Sequence, residues 1–191
     1  MTGNLHLVTG GAGSGKSAYA EQLVTRIREE RNRKGLSTSL IYLATMHRDN
    51  SAEFQKRLRR HLALRAGKGF ATWEAENNLV RILSGIRQDQ IILLEDLPNL
   101  LANEMYGPSA LIPFDHEDAA ALEETIARPI LVAAEKSAAL VAVTGEIFAD
   151  DLPSDPSTRL YMDNLAHLHT ILAAHARTFT EVVCGIPLCL R

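Results

Sequence analysis

Cysteine is scarce in this chain: Cys184 and Cys189 are the only two in 191 residues. No other cysteine is available to complete a zinc set, and the pair reads as free thiols in a reducing compartment. Long apolar runs are missing too; none approaches the ~20 residues that span a bilayer. Nor is there a basic surplus. Twenty Lys and Arg against 23 Asp and Glu leave a net charge of -3 and a pI near 6.2, which disfavours a general nucleic-acid binder. Met1 to Gly3 lead straight into a strand pattern, without the basic and then apolar regions of a signal peptide. These absences point to a cytoplasmic protein that engages neither membrane nor nucleic acid. No internal repeat, low-complexity segment or linker interrupts the sequence, and its length suits one α/β domain over residues 1–191.

What is present is an alternation of short apolar runs with helical patterns. Leu5 to Thr9 reads as a buried strand ending at a glycine cluster. Ser17 to Arg33 reads as a helix with Tyr19, Leu23 and Ile27 on one face. Leu40 to Ala44, Gln90 to Leu94 and Ala138 to Thr144 read as further strands. Helices are expected over Ser51 to Arg65, Asn78 to Ile86, Asp115 to Lys136 and Thr158 to Arg177, with Ala66 to Phe70 a glycine-bearing loop. Pro129 should kink or split the third of these helices. Phe179 to Cys184 and Leu188 to Leu190, joined around Gly185-Ile186-Pro187, suggest a closing hairpin. Strand, helix, strand in this order favours right-handed crossovers and a parallel sheet.

The residues Gly10-Gly11-Ala12-Gly13-Ser14-Gly15-Lys16-Ser17 fit G-x-x-x-x-G-K-[ST], a phosphate-binding P-loop. Glycines allow positive φ, so that backbone N–H groups can curl around phosphate oxygens. The helix N-terminus at Lys16 and Ser17 adds partial positive charge. Lys16 can reach the β- and γ-phosphates, and the Ser17 hydroxyl can ligate Mg²⁺. Placement between an apolar strand and an amphipathic helix makes the motif far more specific than its four fixed positions. Glu95 follows the apolar run Ile91 to Leu94, where a parallel strand ends at the ligand edge of a sheet. An acid there can hold the metal or orient a nucleophile, or it can be a solvated strand end. Asp96 could share or replace its role.

Lys56, Arg57, Arg59, Arg60, Arg65 and Lys68 form a basic stretch without an acid, and His61 lies inside it. A solvated helix face with a core histidine explains this, because His61 shares a stripe with Phe54 and Leu58. A phosphate-handling site explains it as well. Neighbouring cations would keep the imidazole neutral and nucleophilic, and would stabilise a transferring phosphoryl group. His167, His169 and His175 fall on one expected helix without a carboxylate to complete a metal set, and read as structural. His6, His47 and His116 carry no usable motif.

Taken in order, these segments resemble the bifunctional adenosylcobinamide kinase / adenosylcobinamide-phosphate guanylyltransferase family. The resemblance runs from Val8-Thr9 and the P-loop through Tyr42-Leu43-Ala44-Thr45-Met46, Arg57-Leu58-Arg59-Arg60-His61 and Arg65-Ala66-Gly67-Lys68-Gly69-Phe70. It continues through Leu93-Leu94-Glu95, Asn99 to Met105, Val143 to Phe148, Asp155 to Arg159 and Val182 to Pro187. It implies a RecA-like P-loop fold, commonly assembled as a homotrimer, with Mg²⁺, ATP, GTP and adenosylcobinamide as ligands. It implies that His61 takes GMP from GTP. It places nucleotide contacts on the P-loop, on Ala44, Thr45 and Met46, on Leu62, Ala63, Leu64 and Arg65, and on Glu74 and Glu95. The chain departs from the family pattern at Gly145, Asp96, Pro98, His169 and Thr170.

Two other classes compete with this reading. A plain P-loop kinase acting on another small alcohol would need no histidine nucleophile. A nucleotide-dependent switch is disfavoured because no Asn-Lys-x-Asp segment is present.

Overall fold

The apolar runs form a seven-stranded sheet in the order β3-β2-β4-β5-β1-β6-β7. The structure is a computed structural model and describes residues 4–46, 67–113, 118–149 and 153–191. The strands are β1 (Leu5–Thr9), β2 (Ser39–Ala44), β3 (Phe70–Glu74), β4 (Gln90–Glu95), β5 (Ala139–Val143), β6 (Thr178–Val183) and β7 (Ile186–Cys189). All neighbours pair in parallel except β6 with β7, which form the expected antiparallel hairpin. Its turn is shorter than expected. Cys184 (φ 49°) and Gly185 (φ 82°) make it alone, as a two-residue hairpin turn with positive φ at both positions requires, and Ile186 and Pro187 already belong to β7.

Period-two alternation assigns each strand residue to one of two layers. Val8, Tyr42, Ile91, Leu93, Val141 and Val143 pack with Ala20 and Val24 of α1 (Lys16–Arg33). Leu7, Ile41, Leu43, Ile92, Leu94 and Ala142 pack on the opposite face. That face is covered by α2 (Leu97–Tyr106), α3 (Ala119–Leu122), α4 (Arg128–Lys136) and α5 (Pro156–His175). Burial on both faces is why these strands read as continuous apolar runs. The result is a RecA-like P-loop fold, with one strand, β5, between the P-loop strand β1 and the Glu95 strand β4.

Three expectations need correction. The strand β3 follows the glycine loop at the sheet edge, and its partly exposed sequence Phe-Ala-Thr-Trp-Glu lacks the apolar run that marks the others. The segment Leu79–Gly85 is a 3₁₀ helix rather than an α-helix. The long helix ending at Lys136 is broken as Pro129 requires. A π-helical turn, Glu123–Ala127, joins α3 to α4, with the Arg128 N–H donating to Glu123 O. Pro129 has no N–H for the carbonyl four residues back, and the wider turn just ahead of it takes up the break. The helix expected over Ser51 to Arg65 lies outside the described residues.

Candidate functional site

Gly10 to Ser17 connect β1 to α1 as a loop of alternating left-handed glycines. Gly10, Gly13 and Gly15 have φ of 149°, 72° and 94°. Gly10 is fixed by space as well as by φ: a Cβ there would collide with the Val182 carbonyl and with Ser14 Oγ. Lys16 Nζ donates to Gly11 O at 3.1 Å, so the ammonium is held over the loop. Ser14 N donates to Gly11 O at 3.2 Å, and Gly185 N donates to Ser14 O at 2.8 Å. The hairpin turn therefore braces the loop from the β6 side. The buried Ser14 Oγ has no protein partner. Beside Gly15 a cavity of about 780 Å³ opens along α1, bounded by Ala18, Tyr19, Gln22, Gly185 and Pro187. Ser17 stands in the first turn of α1.

Sheet register puts other expected residues on the same edge. Glu74 pairs with Ala44, Ala44 with Glu95, and Glu95 with Val143. These four form one row at the C-terminal ends of the strands, next to the mouth of the P-loop. Ile91 and Leu93 face α1, so the two-residue period aims Glu95 to the same face as the Lys16-Ser17 helix start. Glu95 is 8% exposed and Glu74 is exposed.

Thr45, one step beyond the row, is fully buried and committed to the fold. Its N–H meets Glu95 O at 3.5 Å, and its hydroxyl bonds both the N–H and the carbonyl of Asp96 at 2.8 Å. Its carbonyl accepts from Asn103 Nδ2 at 2.8 Å. Met46 is half-buried beside it. Asp96 has a structural task rather than the metal role considered for it: its carboxylate caps α2 by accepting from Asn99 N at 2.9 Å. The Glu95-Asp96 peptide is cis.

Sequence reasoning missed a third cluster, at the end of β5. Thr144 is buried, and its Oγ1 lies 2.6 Å from Nε2 of His169 on α5. Burial pushes the His169 imidazole down to about 4, against a smaller opposing pull from Glu146, so the ring is neutral at ordinary pH. The Phe148 ring meets it edge-on, with centroids 5.7 Å apart. Phe148 N donates to Glu146 Oε1 at 2.8 Å, and Glu146 N donates to Gly10 O at 3.2 Å. No sequence signal marks this partnership, because 25 residues separate Thr144 from His169. His61, Leu62, Ala63, Leu64 and Arg65 lie outside the described residues, as does the basic stretch up to Arg65.

The comparisons with known proteins bear on this edge. Residues 6–190 match the family described as cobinamide kinase / cobinamide phosphate guanyltransferase. The chain belongs to that family. It is 29% identical over 186 residues to the bifunctional adenosylcobalamin biosynthesis protein CobU of Escherichia coli (strain K12), covering 94% of this chain and 96% of the relative. It is 30% identical over 185 residues to the protein of that name from Salmonella typhimurium, with the same coverage. Among solved structures it is similar to the flagellar accessory protein FlaH of Methanocaldococcus jannaschii. The identity there is 13% and the TM-score 0.49, over 100% of this chain and 80% of that one. As a member of the family the chain is a transferase of the cobalamin biosynthesis group. Its departures from the family pattern converge in space. A Cβ on Gly145 would lie 3.5 Å from Pro98 Cγ, while Asp96 caps the helix that carries Pro98, and His169 holds Thr144.

Proposed function

We propose that this enzyme phosphorylates adenosylcobinamide and then transfers GMP to the product, using one P-loop for both reactions. The observation that carries the reading is the shared edge. A P-loop shaped for phosphate oxygens and a buried carboxylate, Glu95, stand at the C-terminal ends of β1 and β4. They do so in a chain that belongs to the kinase / guanyltransferase family along almost its whole length.

In the first reaction the backbone N–H groups of residues 10–17 and the Lys16 ammonium hold the β- and γ-phosphates of ATP or GTP. The hydroxyl of the aminopropanol arm attacks the γ-phosphorus, the bond to the β-bridging oxygen breaks, and the nucleoside diphosphate leaves. In the second reaction a neutral His61 imidazole attacks the α-phosphorus of GTP, and pyrophosphate leaves. The phosphate made in the first reaction then attacks the same phosphorus, restoring the imidazole and giving adenosylcobinamide-GDP. Ala44, Thr45, Met46, Glu74, Glu95 and the stretch Leu62, Ala63, Leu64 and Arg65 are the nucleotide contacts of this reading.

The donor chemistry fits Mg²⁺. Ser17 and Glu95 offer two hard oxygen donors, the complement that Mg²⁺ takes when phosphates and water fill its other positions. Among the described residues, no three or more His, Cys, Asp or Glu side chains gather into a protein-only metal cage. When bound, the ion would neutralise phosphate charge. The same reading makes the enzyme a cytoplasmic homotrimer. Among the described residues, no helix is long and apolar enough to cross a membrane.

Incubation with labelled GTP and Mg²⁺, followed by denaturation, tests the proposal. The wild type should retain label that is acid-labile and base-stable, as a phosphoramidate is, and His61→Ala should retain none. A wild type that never retains label, yet phosphorylates adenosylcobinamide, would leave only the kinase half standing.

A further inference from the structure

Outside the P-loop and the Glu95 row, the described molecule holds one polar cluster that touches the phosphate-binding loop from behind. Thr144 ends the strand that lies between β1 and β4, and its N–H donates to Val8 O at 2.8 Å. Its side chain turns away from α1 and meets His169 on α5, in the opposite layer. The loop that follows returns to the P-loop through the Glu146 N–H and the Gly10 carbonyl. His169 grips this loop twice, by the 2.6 Å contact with Thr144 Oγ1 and by the edge-on packing of Phe148, the residue whose N–H fixes the Glu146 carboxylate. Gly145 leaves no side chain to fill the space beside Pro98, so the loop lies close over the start of α2.

We propose that His169 is a positioning residue for phosphoryl transfer: with Thr144 it fixes the loop 144–148 against Gly10 and so sets the P-loop relative to Glu95. A loop held by only one short-range bond to the P-loop would drift by fractions of an ångström. Displacements of about 1 Å at a distance from the chemistry can cost about 100-fold in rate. The inference rests on the reading of Gly10 to Ser17 as a triphosphate site, and the experiment separates the two.

The variants are His169→Leu, which fills the space without the polar contact, Thr144→Val, which removes the hydroxyl, the double variant, and two conservative controls. In His169→Gln the amide stands where Nε2 stood; Thr144→Ser keeps the hydroxyl. Binding of MgATP is measured directly, turnover is measured with adenosylcobinamide, and both are expressed per folded molecule after thermal unfolding of each preparation. The expected result is a fall in kcat of about 100-fold for His169→Leu and for Thr144→Val, with MgATP still bound. The double variant should be no worse than either single one, since both break the same link. His169→Gln and Thr144→Ser should recover most of the rate. Single variants that lose stability but turn over like wild type once folded would overturn the proposal, and so would losses that add fully in the double variant. Wild-type protein that binds no MgATP would overturn the triphosphate site itself and this inference with it.

Discussion

The phosphate-binding side of the molecule and the edge across from it are built in opposite ways. On one side, β1, the glycine loop and α1 are consecutive, and eight adjacent residues supply the anion site. On the other, the row from Glu74 to Thr144 is assembled from four strands, and Asn103 and His169 reach it from two helices. Local backbone geometry suffices for the first. The second exists only once the sheet has closed and both helices have docked, so its accuracy depends on tertiary packing. Binding of a triphosphate should accordingly be robust, while the placement of Glu95 and its neighbours should be the sensitive quantity.

The largest expected effect breaks the local half alone. Lys16→Ala removes the ammonium held over the loop by Gly11 O but no core contact. Turnover should fall about 1000-fold, near 4 kcal/mol, as when one pre-placed charge donor is lost. Unfolding by urea should stay within about 0.5 kcal/mol of wild type, the usual range for changes away from the core. Steady-state kinetics and a denaturation curve on the same preparation check both numbers. A large loss of stability would show that the loop is less independent of the sheet than its consecutive sequence suggests.

This contrast also decides what could be read in advance. The P-loop was legible because spacing within eight residues carries its chemistry. Glu95 was legible because it ends an unbroken apolar strand, Ile91 to Leu94. Asp96, its neighbour, looked equally suited to hold a metal, and only the docked helix α2 shows that its carboxylate caps Asn99. β3 was missed because an edge strand open to solvent need not be apolar. His169 read as a structural histidine, since Thr144 lies 25 residues away and nothing local joins them. Thr45 came in through family resemblance as a nucleotide contact, and the fold adds that its polar groups join β2, β4 and α2.

Acid should weaken both halves through one histidine each, which sharpens the comparison. His6 on β1 is buried against Thr178, with Nδ1 2.9 Å from the hydroxyl. Burial first, and the Arg177 guanidinium second, lower its imidazole to about 4. The unfolded chain takes up a proton near 6.5, so stability is complete above that pH and is lost as the pH falls from 6.5 to 4, by about 3 kcal/mol at most. His169, also lowered to about 4, follows the same sign. Denaturant titrations at pH 7.5 and 4.5 should show the loss. His6→Asn keeps a group able to bond Thr178 and should shrink it, and His169→Gln should shrink it by a similar amount. If only His6→Asn does so, acid sensitivity belongs to the β1 side and the edge cluster is not folded as tightly as its burial indicates.

The smallest effect falls on the assembled edge. Asn103 Nδ2 donates to Thr45 O and to Glu76 O, both at 2.8 Å, and so ties α2 to the ends of β2 and β3. Asn103→Ala leaves two carbonyls without this donor, one of them in the fully buried Thr45. Stability should fall by about 2 kcal/mol, the cost of stripping hydrogen bonds from buried acceptors. The distinguishing measurement is the affinity for inorganic triphosphate set against that for a whole nucleoside triphosphate. Triphosphate engages the P-loop alone, and its affinity should not move. If Thr45 and Met46 touch the nucleoside, only the nucleotide should bind more weakly. Equal weakening of both ligands would mean that α2 also sets the P-loop, and the two sides of the molecule would then be one mechanical unit.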